Sequence, residues 1–495
     1  MTAIGIIRAS PTAACQPWSR HVLHPASWAQ MAAALATAPA LSLRALWADA
    51  THVHALLLDK TSTLLPISTP VDGGGYPALS PARPAAAWYE RMVQDLWGHV
   101  AVGGRDLRPW LDHGRWPQAR PLAARPGPSP GRPEPPEFLP PADERFTQAA
   151  LGPIHGGIEP PAHLRVTLAG ERVRRLESRL GYAHKGTLAL MRGKSPRTAA
   201  RFAARLAAEA TVAHSIAFAR AAEAASEIAV PPRATALRAV MAELERIADQ
   251  LGAVGAVGEA AGAGWFGARC GLHAESARRA AAQAFGHRLM MDCVVPGGVA
   301  ADIAPGGSET IVRALDPLDE FSPSRLDLRL ADRLACVGTI TLEQAQAFAA
   351  GGPLGRAAGQ GFDARRFGGM APYDAFALAV PVLAGGDALA CLRVRLAEIA
   401  ESVRLLRALL AALPEGAVSV PLPMASGEGI GWAEAPGGDV WHWLRLDHGQ
   451  IATAFLRDPG WAHWPLLEAA AAGADAEDLP LIQRSFALGS SGVDL

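Results

Sequence analysis

Cysteine is scarce in this chain, and none of it is clustered. The 495 residues include five cysteines, which are Cys15, Cys270, Cys293, Cys336 and Cys391. An odd and dispersed set excludes a disulfide framework and any zinc or iron–sulfur site built on CxxC pairs. We therefore expect free thiols that behave as small hydrophobic side chains.

Charged residues are also infrequent. Charged residues make up 19% of the chain and hydrophobic residues 50%, and 46 Lys and Arg against 47 Asp and Glu leave a net charge of -1. This near-neutral balance excludes a generally basic nucleic-acid-binding protein. The length allows several domains with a large core, so the apolar composition indicates burial in that core or against partner subunits.

Long apolar runs, internal repeats and phosphate-binding glycine motifs are absent. No run of about 18 uncharged apolar residues occurs, so the sequence predicts no transmembrane helix. The first residues lack a convincing signal-peptide apolar region. We therefore expect a cytoplasmic chain, with membrane contact only through other subunits.

A proline-rich stretch divides the chain. Residues 116–144 read WPQARPLAARPGPSPGRPEPPEFLPPADE. Proline fixes φ and removes an amide donor, so this stretch predicts a semi-rigid extended linker. The predicted division is a first domain at 1–116, the linker at 117–145 and a second domain at 146–495.

The two parts differ in their periodicity. In the first part, a helical pattern at 28–38 and a strand pattern at 52–58 predict a small α+β domain. The second part begins with a predicted β-hairpin at HLRVTLAGERVRRLE and ends with antiparallel strands around a Gly-Gly turn. Between them, long Ala- and Leu-rich helices are predicted at 195–225, 234–253, 274–287, 342–350 and 387–413. The fold class is therefore α+β, with a mainly α-helical second domain that carries small antiparallel sheets.

Several ordered motifs carry a family resemblance. In the first part these are ERMVQDLWG and GGRDLRPWLDHGRWPQARPL, which resemble the 30-kDa subunit of respiratory complex I. In the second part they are LGPIHGGIEPPAHLRV, RLESRLGYAHKGTLALMRGK, GHRLMMDCVVPGGV, GEGIGWAEAPGGDVWHWLRLD and DPGWAHWPLLEAA. These resemble the complex I 49-kDa subunit and the large subunit of membrane-bound nickel–iron hydrogenases. Both parts in one chain resemble the fused subunit of formate-hydrogenlyase-type complexes.

The resemblance locates a metal site whose ligands are missing. In the hydrogenases, two CxxC pairs hold the nickel–iron centre, because soft thiolates suit these metals. Alignment of RLAAEATVAH and SFALGSSGVDL with that pattern places the four cysteine positions at Ala207, Ala210, Gly489 and Gly492. Alanine and glycine offer no side-chain donor. The sequence therefore predicts no metal ligand set and argues against hydrogenase activity.

The resemblance to complex I implies a quinone in the same cavity, but its residues are only partly present. The family aspartate aligns with Ala207, and a histidine near the terminal iron–sulfur cluster aligns with Gln250. Tyr182, in GYAHKG, matches the family tyrosine. A quinone site of the usual kind is therefore not expected.

The loop around residues 155–163 contains the strongest single candidate for a catalytic residue. Glu159 aligns with a hydrogenase glutamate that relays protons, and a carboxylate facing a cavity of low dielectric exchanges protons near neutrality. The alternative is a solvent-facing or salt-bridged loop residue. His155 and His163 flank this loop and are predicted to bind a cofactor.

The remaining candidates have equally plain alternatives. Tyr182 and His184 are predicted to be catalytic, as hydrogen-bond donor and proton carrier, or else to pack in a turn beside Lys185. His214 is predicted to face the vacated cavity and bind a cofactor, or else to be a satisfied core histidine. Glu428 and Glu434 are expected to satisfy arginine side chains.

The resemblance implies an oxidoreductase subunit acting in a larger assembly. Its partners would be a small iron–sulfur subunit and antiporter-like membrane subunits, with no nucleic acid. No cofactor is expected on this chain itself, while NAD and quinone belong to the whole complex and the iron–sulfur cluster to a partner. The implied location is the cytoplasmic face of the inner membrane. The alternative is a scaffold that retains the fold without redox chemistry.

Overall fold

The computed structural model describes residues 1–59, 62–71, 73–129, 131–155, 161–320 and 327–495. The first part of the chain is built on a five-stranded sheet. Its elements are α1 (Ala3–Arg8), β1 (Thr12–Ala13), β2 (Arg20–Val22), α2 (Pro25–Leu35), β3 (Ser42–Ala48), β4 (His52–Leu58), β5 (Leu64–Pro70), β6 (Gly75–Pro77), α3 (Ala86–Trp97) and β7 (Val100–Val102). The strand order is β1–β2–β5–β4–β3, with β2 and β5 parallel and the other neighbours antiparallel.

The proline-rich stretch is extended, and its second half lies against the protein. It contains the short antiparallel pair β8 (Gln118–Ala119) and β9 (Gly127–Pro128). Beyond this pair, the Leu139 amide donates to Glu177 at 3.1 Å and the Arg179 guanidinium donates to the Glu137 carbonyl at 2.9 Å. Because proline has no amide hydrogen to donate to a sheet, individual hydrogen bonds of this kind hold the segment in place.

The second part begins with a three-stranded antiparallel sheet. Its strands are β10 (Thr147–Leu151), β11 (His163–Ala169) and β12 (Arg172–Arg179). The predicted hairpin is the β11–β12 pair, and Gly170 turns it with a positive φ of 62°, a conformation that suits glycine. The prediction of a hairpin is confirmed.

The helices of the second part surround a long central hairpin. Its remaining elements are α4 (Thr187–Met191), α5 (Pro196–Ala203), α6 (Thr211–Ala225), α7 (Pro232–Ala260), α8 (Gly264–Phe285), β13 (Val294–Val295), β14 (Gly298–Val299), α9 (Gly307–Leu315), α10 (Leu328–Leu334), α11 (Leu342–Ala347), α12 (Gly352–Ala357), α13 (Ala388–Ala411), β15 (Gly427–Ala435), β16 (Gly438–Asp447), β17 (Gln450–Arg457), α14 (Gly460–Ala471), α15 (Leu479–Phe486) and α16 (Ser491–Asp494). Strands β15, β16 and β17 form one antiparallel sheet. The predicted α+β class with small antiparallel sheets is confirmed.

One predicted helix is wrong in a way that matters for the site. The helix expected at 195–225 is broken into α5 and α6, with a single 3₁₀ turn at Ala208–Ala210 between them. Glu245 on α7 accepts hydrogen bonds from the amides of Val212 and Ala213 at 2.6 and 3.0 Å. A helix start leaves such amides unpaired, so a carboxylate from another helix stabilises this break.

The two parts of the chain share one hydrophobic core. Trp47 on β3 packs against Trp443 and Phe455, with ring centroids 5.6 and 5.3 Å apart. The backbone of Gln16 pairs with β15 through bonds to Glu428 and Ile430. No helix within the described ranges is long and apolar enough to cross a membrane.

Candidate functional site

The four positions that we aligned with the family's cysteines lie at the break between α5 and α6 and around the start of α16. Ala207 directly precedes the 3₁₀ turn and Ala210 is its last residue, and both are buried. Gly489 and Gly492 stand opposite them, and the Gly489 carbonyl accepts a bond from the Trp464 indole at 3.0 Å.

Carboxylates fill the space that two of the thiolates would need. A Cβ at Gly489 would overlap Oε1 of Glu209, the middle residue of the 3₁₀ turn. A Cβ at Gly492 would overlap the carboxylate of Asp458, which follows β17. Hard carboxylate oxygens are poor substitutes for the soft thiolates of a nickel–iron centre. Within the described part of the chain, no group of three or more His, Cys, Asp or Glu is arranged to hold a metal ion. The residues present therefore do not fit a nickel–iron centre.

A cavity of about 420 Å³ lies beside this turn, and we call it the large cavity. Two pockets elsewhere among the described residues have volumes of about 600 Å³ each. The polar lining of the large cavity includes Glu209, Asp249 and His155, and its apolar lining includes Leu164, Trp464 and Leu488. Its volume lies within the range of roughly 300–1,000 Å³ that holds organic ligands in proteins. The site thus retains space for a small organic molecule next to ionisable groups.

Two carboxyl groups in the lining of the large cavity have raised pKa values. Burial, and then the negative charge of Asp458, raise the pKa of Glu209 to about 7. Burial raises the pKa of Asp249 to about 6. A carboxyl with a pKa near the operating pH can both give and accept a proton.

Asp458 is held ionised by a buried histidine pair. Its Oδ2 lies 3.0 Å from Nε2 of His214, and Nδ1 of His214 lies 2.9 Å from Nε2 of His442. Oδ1 of Asp458 accepts a hydrogen bond from the Gly460 amide at 2.7 Å. Burial alone would raise the pKa of Asp458, but the hydrogen bond and charge of His214 outweigh it and hold that pKa below the usual range. Two neighbouring carboxyls with pKa values driven apart form an acid–base pair.

Known proteins match this chain in sequence. A family model described as the 49 Kd subunit of respiratory-chain NADH dehydrogenase matches residues 273–426. Formate hydrogenlyase subunit 5 of Escherichia coli K12 is 28% identical over 433 residues, which span 83% of this chain and 75% of that protein. A subunit of the NADH-quinone oxidoreductase of Acidiphilium cryptum is 31% identical over 279 residues, which span 54% of this chain and 68% of that protein. The chain belongs to the family of complex I 49-kDa subunits and membrane-bound hydrogenase large subunits.

A solved structure agrees with the fold of this family. It is a chain of the membrane-bound sulfane sulfur reductase, an archaeal respiratory membrane complex. The match has a TM-score of 0.66 at 24% identity and covers 72% of this chain and all of the other. At this identity the likeness concerns the fold alone.

The residues predicted from the family loop are only partly brought to the large cavity. His155 lines it, and its Nε2 lies 2.6 Å from the Ala162 carbonyl. His163 packs its ring against Phe138 at 4.6 Å instead of lining the cavity. Glu159 lies outside the described residues. Its role as a proton relay stays a prediction.

The GYAHKG segment turns away from the large cavity. Tyr182 is 39% exposed. Nδ1 of His184 lies 2.6 Å from the Asp494 carbonyl. Nζ of Lys185 donates a hydrogen bond to the Ser491 carbonyl at 2.8 Å. Both bonds reach the backbone near the C-terminus. These contacts favour the turn and packing alternative over a catalytic role in this cavity.

His214 lies one layer behind the cavity lining. It is fully buried, and both of its ring nitrogens bond to side chains, which is the satisfied core histidine of the alternative interpretation. Its role toward a cofactor stays a prediction. Glu428 and Glu434 pair with Arg20 and Arg356, as expected.

Sequence reasoning missed Glu209, Asp249 and Asp458. Glu209 had a signal, because it stands between the two expected cysteine positions and shares their turn. Asp458 had a weaker one in the DPGWAHW motif. Asp249 gave none, because a single aspartate in a helical pattern is usually solvated.

Proposed function

We propose that this chain is the large electron-transfer subunit of a membrane-associated, complex I-like oxidoreductase that works without a nickel–iron centre. The observation that carries the proposal is the pair of carboxylates, Glu209 and Asp458, that fill the positions of two family thiolates beside a retained cavity. A site that had only lost its function would not need ionisable groups in a cavity of this size. The family membership supports the assembly, and the cavity supports the chemistry.

The electron acceptor in this proposal is a quinone-type organic molecule in the large cavity. Such a molecule would supply chemistry that consumes protons along with electrons. Glu209 faces the cavity with a proton at and below about pH 7 and can deliver it there. Asp458 remains ionised and preserves the raised pKa of Glu209, while Trp464 and Leu488 exclude water from one wall.

The relatives are subunits of formate hydrogenlyase and of NADH-quinone oxidoreductase, which supports partner subunits for this chain. We propose a small iron–sulfur subunit that delivers electrons, and membrane subunits that hold the chain at the cytoplasmic face of the inner membrane. NAD would act elsewhere in the same complex.

A scaffold is the second candidate, and the loss of all four thiolates favours it. The interior also contains an ion network that would keep a docking surface rigid. Arg356 is fully buried and bonds to Glu398 at 2.7 Å and Glu434 at 2.9 Å. A scaffold needs this network but has no use for a proton at Glu209.

The two candidates differ in the effect of Glu209→Gln on the purified complex. If the chain is catalytic, reduction of a soluble quinone analogue falls by at least about 10²-fold, as expected for a lost general acid. In the unmodified complex the rate falls as the pH rises through about 7, because the acid form of Glu209 disappears. The control is Glu259→Gln, at an exposed residue near the end of α7, which leaves the rate unchanged.

Two outcomes would contradict the proposal. An intact Glu209→Gln complex with normal turnover supports the scaffold. Stoichiometric nickel in the unmodified complex, measured by elemental analysis, would show that the ligand positions are misassigned.

A further inference from the structure

A second, smaller cavity lies between helices α6 and α7, strand β15 and the segment 365–373. We call it the arginine pocket, and its volume is about 220 Å³. The residues that line it include Ile216, Arg220, Arg238, Ala239, Met370 and Pro372. None of its lining residues lines the large cavity, so an occupant here is separate from any molecule in that cavity.

Four of the five charged side chains described in this lining are already paired. Arg238 and Glu223 form an ion pair with each other. Arg365 and Glu434 pair with oppositely charged residues outside the lining. Arg220 is the fifth, and it forms no ion pair in the described part of the chain. The lining therefore contains one positive charge without a paired anion.

The guanidinium of Arg220 is held in one orientation by a tryptophan. Its central carbon lies 3.8 Å from the centroid of the Trp432 ring, and Nη1 donates a hydrogen bond to the Trp432 carbonyl at 3.3 Å. The Trp432 ring is itself buried against Trp18, with ring centroids 4.9 Å apart. Stacking on a fixed aromatic face leaves the edge of a guanidinium free to bind an anion.

Most of the hydrogen-bond donors of Arg220 remain available. A guanidinium carries five N–H groups, and among the described residues that of Arg220 makes a single hydrogen bond. No nitrogen of this side chain is both sealed from solvent and without a partner. Burial lowers the pKa of Arg220 to about 10, so the group is still charged at neutral pH. The cavity that Arg220 lines therefore offers a charged donor group to a ligand.

The rest of the lining defines what kind of anion fits. Ile216, Met370 and Pro372 give the pocket apolar walls, which suit a hydrocarbon chain. A planar carboxylate matches the paired donors of a guanidinium. The carboxylates of Glu223 and Glu434 also line the pocket, and they would repel a second negative charge. A ligand with one carboxylate and a short apolar chain satisfies all three conditions.

A neighbouring pocket gives such a ligand a route of entry. This pocket has a volume of about 600 Å³ and shares Arg365, Gly369, Met370 and Tyr373 with the arginine pocket. Gly369 is exposed, and no atom lies within 4 Å of the place where its Cβ would be. The arginine pocket is therefore open on the side of the segment 365–373.

We propose that the arginine pocket binds a small monocarboxylate with a short apolar chain. The carboxylate accepts hydrogen bonds from the free donors of Arg220, and the chain packs against Ile216 and Met370. This is a binding site that the proposed electron transfer does not use. It stands whether or not Glu209 carries protons.

A ligand-observed NMR titration of the intact protein with pentanoate tests the site. The expected result is binding with a Kd below about 1 mM. Pentanamide has the same size but no charge, so it binds at least about tenfold more weakly. Glutarate carries a second carboxylate, which meets the apolar walls and the two glutamates, so it binds at least about fivefold more weakly than pentanoate. Equal affinity for pentanoate and pentanamide, or no binding of pentanoate, would overturn the proposal.

A matched pair of arginine variants identifies the residue that holds the carboxylate. Arg220→Gln weakens pentanoate binding at least about tenfold and leaves the affinity for pentanamide within about twofold. Arg393→Gln, at an exposed position on α13 that lines neither cavity, leaves both affinities unchanged. If Arg220→Gln binds pentanoate as the unmodified protein does, the proposal fails. Circular dichroism checks that the variant is folded, and if it is not, the comparison of pentanoate with pentanamide on the unmodified protein still decides.

Discussion

At the scale of single residues, Gly489 and Gly492, two of the positions aligned with family cysteines, lie in different surroundings. The atom that a Cβ at Gly489 would meet is the far end of the flexible Glu209 side chain. At Gly492 the overlap includes Cβ and Cγ of Asp458, whose carboxylate is tied to His214 and the Gly460 amide. The first neighbour can move, and the second cannot move without breaking buried hydrogen bonds.

Alanine at each glycine therefore has a different expected cost. Gly492→Ala lowers the free energy of unfolding by about 1–3 kcal/mol, as overpacking of a core does. Gly489→Ala costs less than about 1 kcal/mol, because Glu209 swings into the large cavity. Urea unfolding of the two variants side by side measures both. Equal losses would mean that Asp458 is not held as firmly as its bonds indicate.

The residue-level predictions rest on local chemistry and could not include contacts across the fold. The absence of thiolates at Ala207, Ala210, Gly489 and Gly492 could be read from the sequence. The presence of Asp458 in the same place could not, because 244 residues separate it from its partner His214. Long-range pairs of this kind leave no periodic signal.

At the scale of elements, helices and strands that depend on local sequence pattern were predicted, and those that depend on long-range contacts were not. The strand at His52–Leu58 was predicted with its bounds, because its β-pattern is local. The break between α5 and α6 was missed, because the run 195–225 contains no glycine and proline only at its start. The cap of α6 comes from Glu245 on α7, and no local rule detects it.

Strand β15 packs closely against helix α6. Gly431 on β15 lies against the helix so closely that a Cβ would overlap the Ala217 carbonyl, and the Ala221 amide lies almost as near. Both are backbone atoms inside a helix. Neither can move without shifting α6 and the 3₁₀ turn at its start.

Gly431→Ala is therefore expected to cost about 3 kcal/mol or more of unfolding free energy. The matched control is Gly437→Ala in the same hairpin, where the nearest atoms are 4.0 Å from the added Cβ, and its change stays within about 0.5 kcal/mol. Circular dichroism during urea titration gives both values. A mild effect of Gly431→Ala would show that the helix and the sheet can separate without loss of packing.

At the scale of the whole molecule, the predicted linker does not separate two independent bodies. The described part of the first 116 residues packs against the β15–β16 hairpin with charges as well as rings. Arg20 pairs with Glu428 at 3.0 Å, and Asp49 pairs with Arg445 at 2.8 Å. Composition predicts an extended stretch at 117–145, but it held no information about this interface, whose two sides are far apart in sequence.

After cleavage of the linker, the two fragments are therefore expected to remain associated. A protease site inserted between Arg125 and Pro126, both exposed, allows the chain to be cleaved after folding. The two fragments should co-elute in gel filtration at low salt, because the Trp47 ring contacts and the Gln16 backbone pairing with β15 remain. The same cut with Trp47→Ala removes the central ring of the interface and should release part of the first fragment. If the unmodified fragments separate after cleavage, the covalent linker holds the parts together and the shared core does not.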